Sequence, residues 1–115
     1  MTPLTGNVYW ADLPYEEHLQ SGLRPVVVLQ NNKGNQYGPH VHVVPLTGQM
    51  HKAHILPTHV VLKPNKQNGL RKNSVALAEN LRPIPKQNIM SHIGVLNDEE
   101  LASIGQAVKL HLKIG

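Results

Sequence analysis

The sequence predicts a mainly β fold of the α+β kind: a small, partly open barrel of short strands with one C-terminal helix and short helical turns. Three observations predict it. Valine is abundant and Phe absent, with one Trp and three Tyr, so β-branched and aliphatic side chains must fill the core, and abundant β-branched residues point to strands. Short apolar runs recur along the chain, separated by Pro, Gly and Asn, as in hairpin-linked strands of small barrels. The last stretch, by contrast, repeats its apolar residues at helical spacing.

Asn7 to Leu13 reads as the first strand, with Val8, Trp10 and Asp12 on one face and Tyr9, Ala11 and Leu13 on the other. Pro14 ends it. Residues 14–22 form a polar loop longer than a hairpin turn needs, and long loops in compact domains are often functional. Arg24 to Gln30 is an apolar run, hence a buried central strand, with Pro25 at its start because it lacks an N–H. Residues 31–39, with Gly34 and Gly38, read as a loop. His40 to Val44 alternates, placing Val41 and Val43 inward and His40 and His42 outward. Thr47-Gly48 breaks the pattern, residues 51–57 hold a short strand or turn, and residues 58–62 form the next strand. Residues 63–73, with Pro64 and Gly69, are a loop. Ser74 to Glu79 alternates as a strand; Leu81 to Ile84 extends it or begins another. Residues 86–90 connect to a brief strand at residues 92–95.

The final element is a helix. Asn97 is its N-cap and Glu100 the third residue in, a capping box. Asp98 and Glu99 suit the positive end of the helix dipole, and Lys109 and Lys113 the negative end. Leu101, Ile104, Val108 and Leu112 make one apolar stripe that packs on the sheet.

A chain of 115 residues suits one domain, residues 1–115. It has no cysteine, which excludes disulfides, thiolate zinc sites and a cysteine nucleophile. Eleven Lys and Arg against seven Asp and Glu leave a charge of +4, a mild excess that favours a polyanion or an acidic partner. The opening Met1 to Gly6 carries no apolar stretch or basic flank, so no signal peptide is expected. The longest apolar run, Pro25 to Leu29, falls far short of the roughly 20 residues that span a bilayer. The expected location is the cytoplasm, with no membrane association.

The eight histidines are the first place to look for chemistry. His40 and His42 share a strand face, and His51, His54 and His59 lie close in sequence. None of the usual zinc spacings occurs, so they read as a solvated surface, with no metal and no cofactor expected. There is no Gly-x-Ser-x-Gly elbow and no Gly-rich phosphate loop. Arg24 is more informative. It sits where a polar loop meets a buried strand, on rigid backbone yet facing the loop's cleft, and its planar fork suits a phosphate. Thr47 ends a strand beside Gly48, where a ligand can approach the backbone closely.

Several segments carry a resemblance: Gly6-Asn-Val-Tyr-Trp-Ala-Asp-Leu13, Gly22-Leu-Arg-Pro-Val-Val-Val-Leu-Gln-Asn31, Pro45-Leu-Thr-Gly-Gln49, Leu56-Pro-Thr-His-Val60, Gly69-Leu-Arg-Lys-Asn-Ser-Val75 and Leu77-Ala-Glu-Asn80. In this order and at this spacing they resemble the MazF/PemK/Kid toxin family over nearly the whole chain. The resemblance implies an SH3-like, partly open barrel of the type shared by CcdB and MazF. It also implies a homodimer, endoribonuclease activity on single-stranded RNA, and a cognate antitoxin whose acidic C-terminal tail blocks the same groove. It implies Arg24 and Thr47 as catalytic residues, and an RNA-binding set of His18, Gln20, Gln49, Lys52, Leu56, Ser74, Glu79, Asn80 and Arg82. The loop before Arg24 departs from the family. Its usual acidic residue falls on Leu19, and Glu16, Glu17 and His18 are the candidates to replace it as general base. Two other readings stand beside this one. The first is a CcdB-like toxin that binds DNA gyrase, disfavoured because no Trp lies near the C-terminus. The second is an inactive relative kept as a regulator.

Overall fold

The computed structural model describes residues 2–114. Seven strands form one sheet: β1 (Asn7–Leu13), β2 (Gly22–Val28), β3 (His40–Thr47), β4 (His59–Leu62), β5 (Ser74–Leu77), β6 (Arg82–Pro85) and β7 (Ile89–Val95). All pairings are antiparallel, in the order β4-β5-β3-β2-β1-β7, with β6 on β3. The terminal strands β4 and β7 do not pair with each other, so the sheet curls without closing. Strand β3 is the hub. It holds β2 along one edge and, along the other, first β6 (His40 to Val43) and then β5 (Leu46 and Thr47).

The continuous apolar runs of β2 and β3 follow from burial on both faces. Val8, Val27, Val44 and Leu46 face one core together with Leu62, Ala76, Leu96 and Ile104. Tyr9, Ala11, Leu13, Val26, Val28, Val41, Val43 and Ile84 fill the other, inside the curled sheet. The expected alternation in β1 and at the start of β3 holds: Tyr9, Ala11 and Leu13 share a cluster, and His40 and His42 are exposed. Asn7, at the first position of β1, meets His92 of β7 through a 2.9 Å contact between Asn7 Oδ1 and His92 Nε2.

Two expectations are corrected. Residues 31–39 are not all loop: Asn32–Tyr37 form a short helix, α1. The Asn31 side chain accepts from Gly34 N at 2.9 Å and caps it, so capping outweighs the low helix propensity of Gly34, the one glycine within α1. In the C-terminal helix α2 (Asp98–Leu112) the buried stripe is Ile104 and Ala107, flanked by half-buried Leu101 and Val108, whereas Leu112 is 49% exposed. The sheet ends before the helix does.

The capping box is present. Asn97 Oδ1 accepts from Glu100 N at 2.8 Å, and Glu100 Oε1 accepts from Asn97 N at 2.9 Å. The other Glu100 oxygen accepts from Asn68 Nδ2 at 2.9 Å, so the cap also ties α2 to the loop of residues 63–73. Replacing the cap, Asn97→Ala, should lower stability by about 1 kcal/mol, read as a drop of roughly 4 °C in melting temperature. Among the described residues no helix is long and apolar enough to cross a membrane.

Candidate active site

The β2–β3 register brings the two leading candidates together. Val28 lies opposite Val43, Val27 opposite Val44 and Val26 opposite Pro45. The ladder itself ends at Val26–Pro45; continued two residues, the same register would set Arg24 opposite Thr47. Leu29 N donates to His42 O at 3.0 Å, which makes Leu29–His42 a hydrogen-bonded pair. Hydrogen-bonded and non-hydrogen-bonded pairs alternate, so Arg24–Thr47 falls in the class whose facing side chains approach most closely. By alternation both project on the face of Val26, Val28 and Val43, at one end of the inner core.

Each is held in a useful way. Arg24 is half-buried, and its Nε donates to Ser21 O at 3.1 Å. That bond fixes one edge of the guanidinium. Among the described residues neither terminal nitrogen has a hydrogen-bonding partner, so both can reach a ligand. Thr47 is 3% exposed. Its hydroxyl oxygen accepts from Gln49 N at 3.2 Å, which leaves the hydroxyl proton to be donated outward. A Cβ on Gly48 would lie 2.6 Å from Lys72 Cε and 2.7 Å from Lys72 Nζ. The Lys72 side chain therefore lies over this glycine.

The remaining candidates divide into groups. Gln20 and His18 belong to the loop between β1 and β2. His18 is exposed at a left-handed position (φ 67°), with Glu17 3.7 Å away, and Glu16 is exposed as well. Gln49 and Leu56 are exposed and Lys52 half-buried in the segment between β3 and β4. Glu79 is held from below. One carboxylate oxygen accepts from Thr58 Oγ1 at 2.8 Å, and the other lies 2.7 Å from His59 Nε2, while His59 Nδ1 is 2.7 Å from Lys52 O. Thr58 and His59 were not among the candidates. The signal for them is the β4–β5 register, which pairs His59 with Leu77 and so brings it beside the turn that carries Glu79. Asn80 is buried in that same turn.

Ser74 and Arg82 depart from expectation. Ser74 pairs with Leu62 and alternates away from the Arg24 face. It lines a cavity of about 640 Å³ on the far side of the sheet, with Trp10, Pro25, Arg71, Lys72 and His92. Arg82 is 6% exposed, and its guanidinium donates to Gln20 O at 2.8 Å and to Pro14 O. It is engaged with the chain's own backbone, not displayed on a groove. Among the described residues no three His, Asp or Glu side chains gather as a metal-ligand group would.

The profile of the PemK-like, MazF-like toxins of type II toxin–antitoxin systems matches residues 4–112. The chain belongs to this family. A curated relative, the endoribonuclease MazF of Staphylococcus saprophyticus, is 40% identical over 108 residues, 93% of this chain and 88% of that one. The crystal structure of MazF from Deinococcus radiodurans superposes with a TM-score of 0.84 over 99% of both chains at 23% identity. An endoribonuclease solved with its cognate antitoxin from a Mycobacterial species gives 0.76 at 25% identity, covering 99% of this chain and 96% of that one. This MazF-type chain thus carries the family's fold along its length, with Arg24 and Thr47 lying just beyond the last β2–β3 pair, Val26–Pro45.

Proposed function

We propose that this endoribonuclease toxin cuts single-stranded RNA by in-line attack of the 2′-OH on the adjacent phosphorus, with Arg24 and Thr47 around the scissile phosphate. The single observation that carries this is the β2–β3 register, which, continued past Val26–Pro45, sets Arg24 and Thr47 on one face of adjacent strands. RNA brings its own nucleophile, so the protein's part is positioning and charge stabilisation. The two free guanidinium nitrogens of Arg24 would bind the equatorial oxygens, whose charge grows as the phosphorane forms. The Thr47 hydroxyl, already oriented by Gln49 N, would donate to one of them. The products would be a 2′,3′-cyclic phosphate and a 5′-OH, with no metal needed for the step.

In this reading residues 1–115 are one toxin domain acting as a homodimer in the cytoplasm. An antitoxin with an acidic C-terminal tail would occupy the same basic surface and compete with RNA; disordered acidic segments suit such wrapping. Glu79, anchored by Thr58 and His59, and Asn80 would read base edges, which single-stranded RNA leaves free. Glu16, Glu17 and His18 remain the candidates for the proton acceptor. The test is a long RNA incubated with the protein in EDTA, its fragments analysed for end groups. Cleavage giving cyclic-phosphate ends is expected, together with resistance of an RNA carrying 2′-deoxyribose at the cut site. Intact RNA in EDTA, or cutting at the deoxy position, overturns it.

A further inference from the structure

We infer that Arg82 is a positioning residue of the active site: from the floor of the barrel it fixes the β1–β2 loop, and through that loop the Arg24 guanidinium. The reasoning begins with burial. Arg82 starts β6, opposite Val43 of β3, on the same face as Ile84 in the inner core. A guanidinium buried to this degree must satisfy its donors within the protein. It does so on backbone carbonyls 62 and 68 residues away in sequence, Gln20 O and Pro14 O. These two carbonyls stand at opposite ends of the loop between β1 and β2. A single planar fork therefore bridges both ends of an eight-residue span, 14–21, that has no strand or helix of its own.

The link to chemistry lies in adjacent peptide groups. Arg82 holds the carbonyl of Gln20, and the next carbonyl, that of Ser21, accepts from Arg24 Nε. Rotation of the peptides at Gln20 would therefore move the acceptor that sets the plane of the Arg24 fork. Lysine cannot do the same, because its ammonium is a point charge and cannot present two coplanar donors to carbonyls on opposite sides. The inference rests on the proposed role of Arg24 but assigns Arg82 no contact with RNA.

The test compares Arg82→Lys with Arg24→Ala in the full-length protein, at a temperature where circular dichroism shows both folded. For Arg82→Lys we expect kcat to fall about 30-fold, within the 10- to 100-fold range typical of lost outer-shell support. Affinity for a 2′-deoxy, uncleavable RNA, and the salt dependence of that affinity, should stay at wild-type values. Two results overturn the inference: wild-type kcat in Arg82→Lys, or weaker binding with a salt slope reduced by about one, the mark of a lost phosphate contact. If Arg82→Lys does not fold, nitrogen NMR of the wild-type guanidinium groups decides. The Arg82 Nη signals should persist and stay in place on adding the deoxy RNA while those of Arg24 move; movement of the Arg82 signals overturns the assignment. Cleavage at wild-type rate by Arg24→Ala would instead overturn the proposed function, whatever Arg82 does.

Discussion

Arg24→Ala should abolish practical cleavage, lowering kcat by about 10³-fold or more while leaving the protein folded. The magnitude follows from the role. A preorganised donor to a developing oxyanion contributes about 10²- to 10³-fold, and an arginine on a transferring phosphoryl group about 10³- to 10⁵-fold. The fold should tolerate the change because the side chain is half-buried at a strand start, with one hydrogen bond to a loop carbonyl. Its loss should move the melting temperature by only a few degrees, since one net hydrogen bond contributes about 1 kcal/mol. Single-turnover cleavage of a fluorescent RNA, alongside thermal unfolding, separates the two effects. An Arg24→Ala variant that retains a tenth of wild-type kcat would remove the guanidinium from the chemistry.

The second large effect concerns stability. Gly94→Ala should destabilise the protein by about 3 kcal/mol or more, the upper range for overpacking, which corresponds to a fall in melting temperature of roughly 12 °C or more. A Cβ on Gly94 would sit 2.3 Å from both the carbonyl carbon and oxygen of Asn68, and 2.7 Å from Gln67 O. These are backbone atoms, and they have little freedom to yield. Asn68 is fully buried, its amide donates to Lys63 O and Glu100 Oε2, and its oxygen accepts from Asn65 N and Leu70 N. Val95 N donates to Gln67 O at 2.8 Å, holding the loop on β7 from the other side. Gly105→Ala is the counterpart. Nothing lies within 4 Å of a Cβ at Gly105, and replacing a helical glycine by alanine should stabilise by up to about 1 kcal/mol. Thermal unfolding of both variants checks the pair. A Gly94→Ala protein that melts like wild type would mean that loop and strand are not locked together.

Local patterns carried much of the fold. β1 could be read because alternation and Pro14 both mark it. The helix α2 could be read because Asn97, Glu100 and the acidic first turn coincide with an apolar stripe. Failure came where a local rule met a tertiary one. The glycines of residues 31–39 indicated a loop. A Cβ on Gly34 would lie 2.7 Å from Gln30 Nε2, the far end of a side chain that can yield, and Gly34 has no positive φ, so this glycine marks no turn and the Asn31 cap decides for helix. At the site, Arg24 and Thr47 could be singled out because each stands at a strand boundary, and the family resemblance joined them. Arg82 could not be placed by the same means. Its partners are backbone carbonyls more than sixty residues away, and no periodicity in the sequence registers a bond to a main-chain oxygen. Glu79 was singled out, but its support from Thr58 and His59 depends on a strand pairing that only the folded sheet supplies.

The proline after Arg24 gives the cleft a permanence of its own. In the β2–β3 ladder the position of Pro25 is one whose amide hydrogen would point at β3, and an imino acid has none. The two strands therefore lack the donor that would fasten them just before Arg24 and Thr47, with or without a ligand. A residue preceding proline is also kept out of the helical region by the ring. The arginine proposed for catalysis thus stays extended through covalent geometry, at the very place where its neighbouring strand no longer braces it.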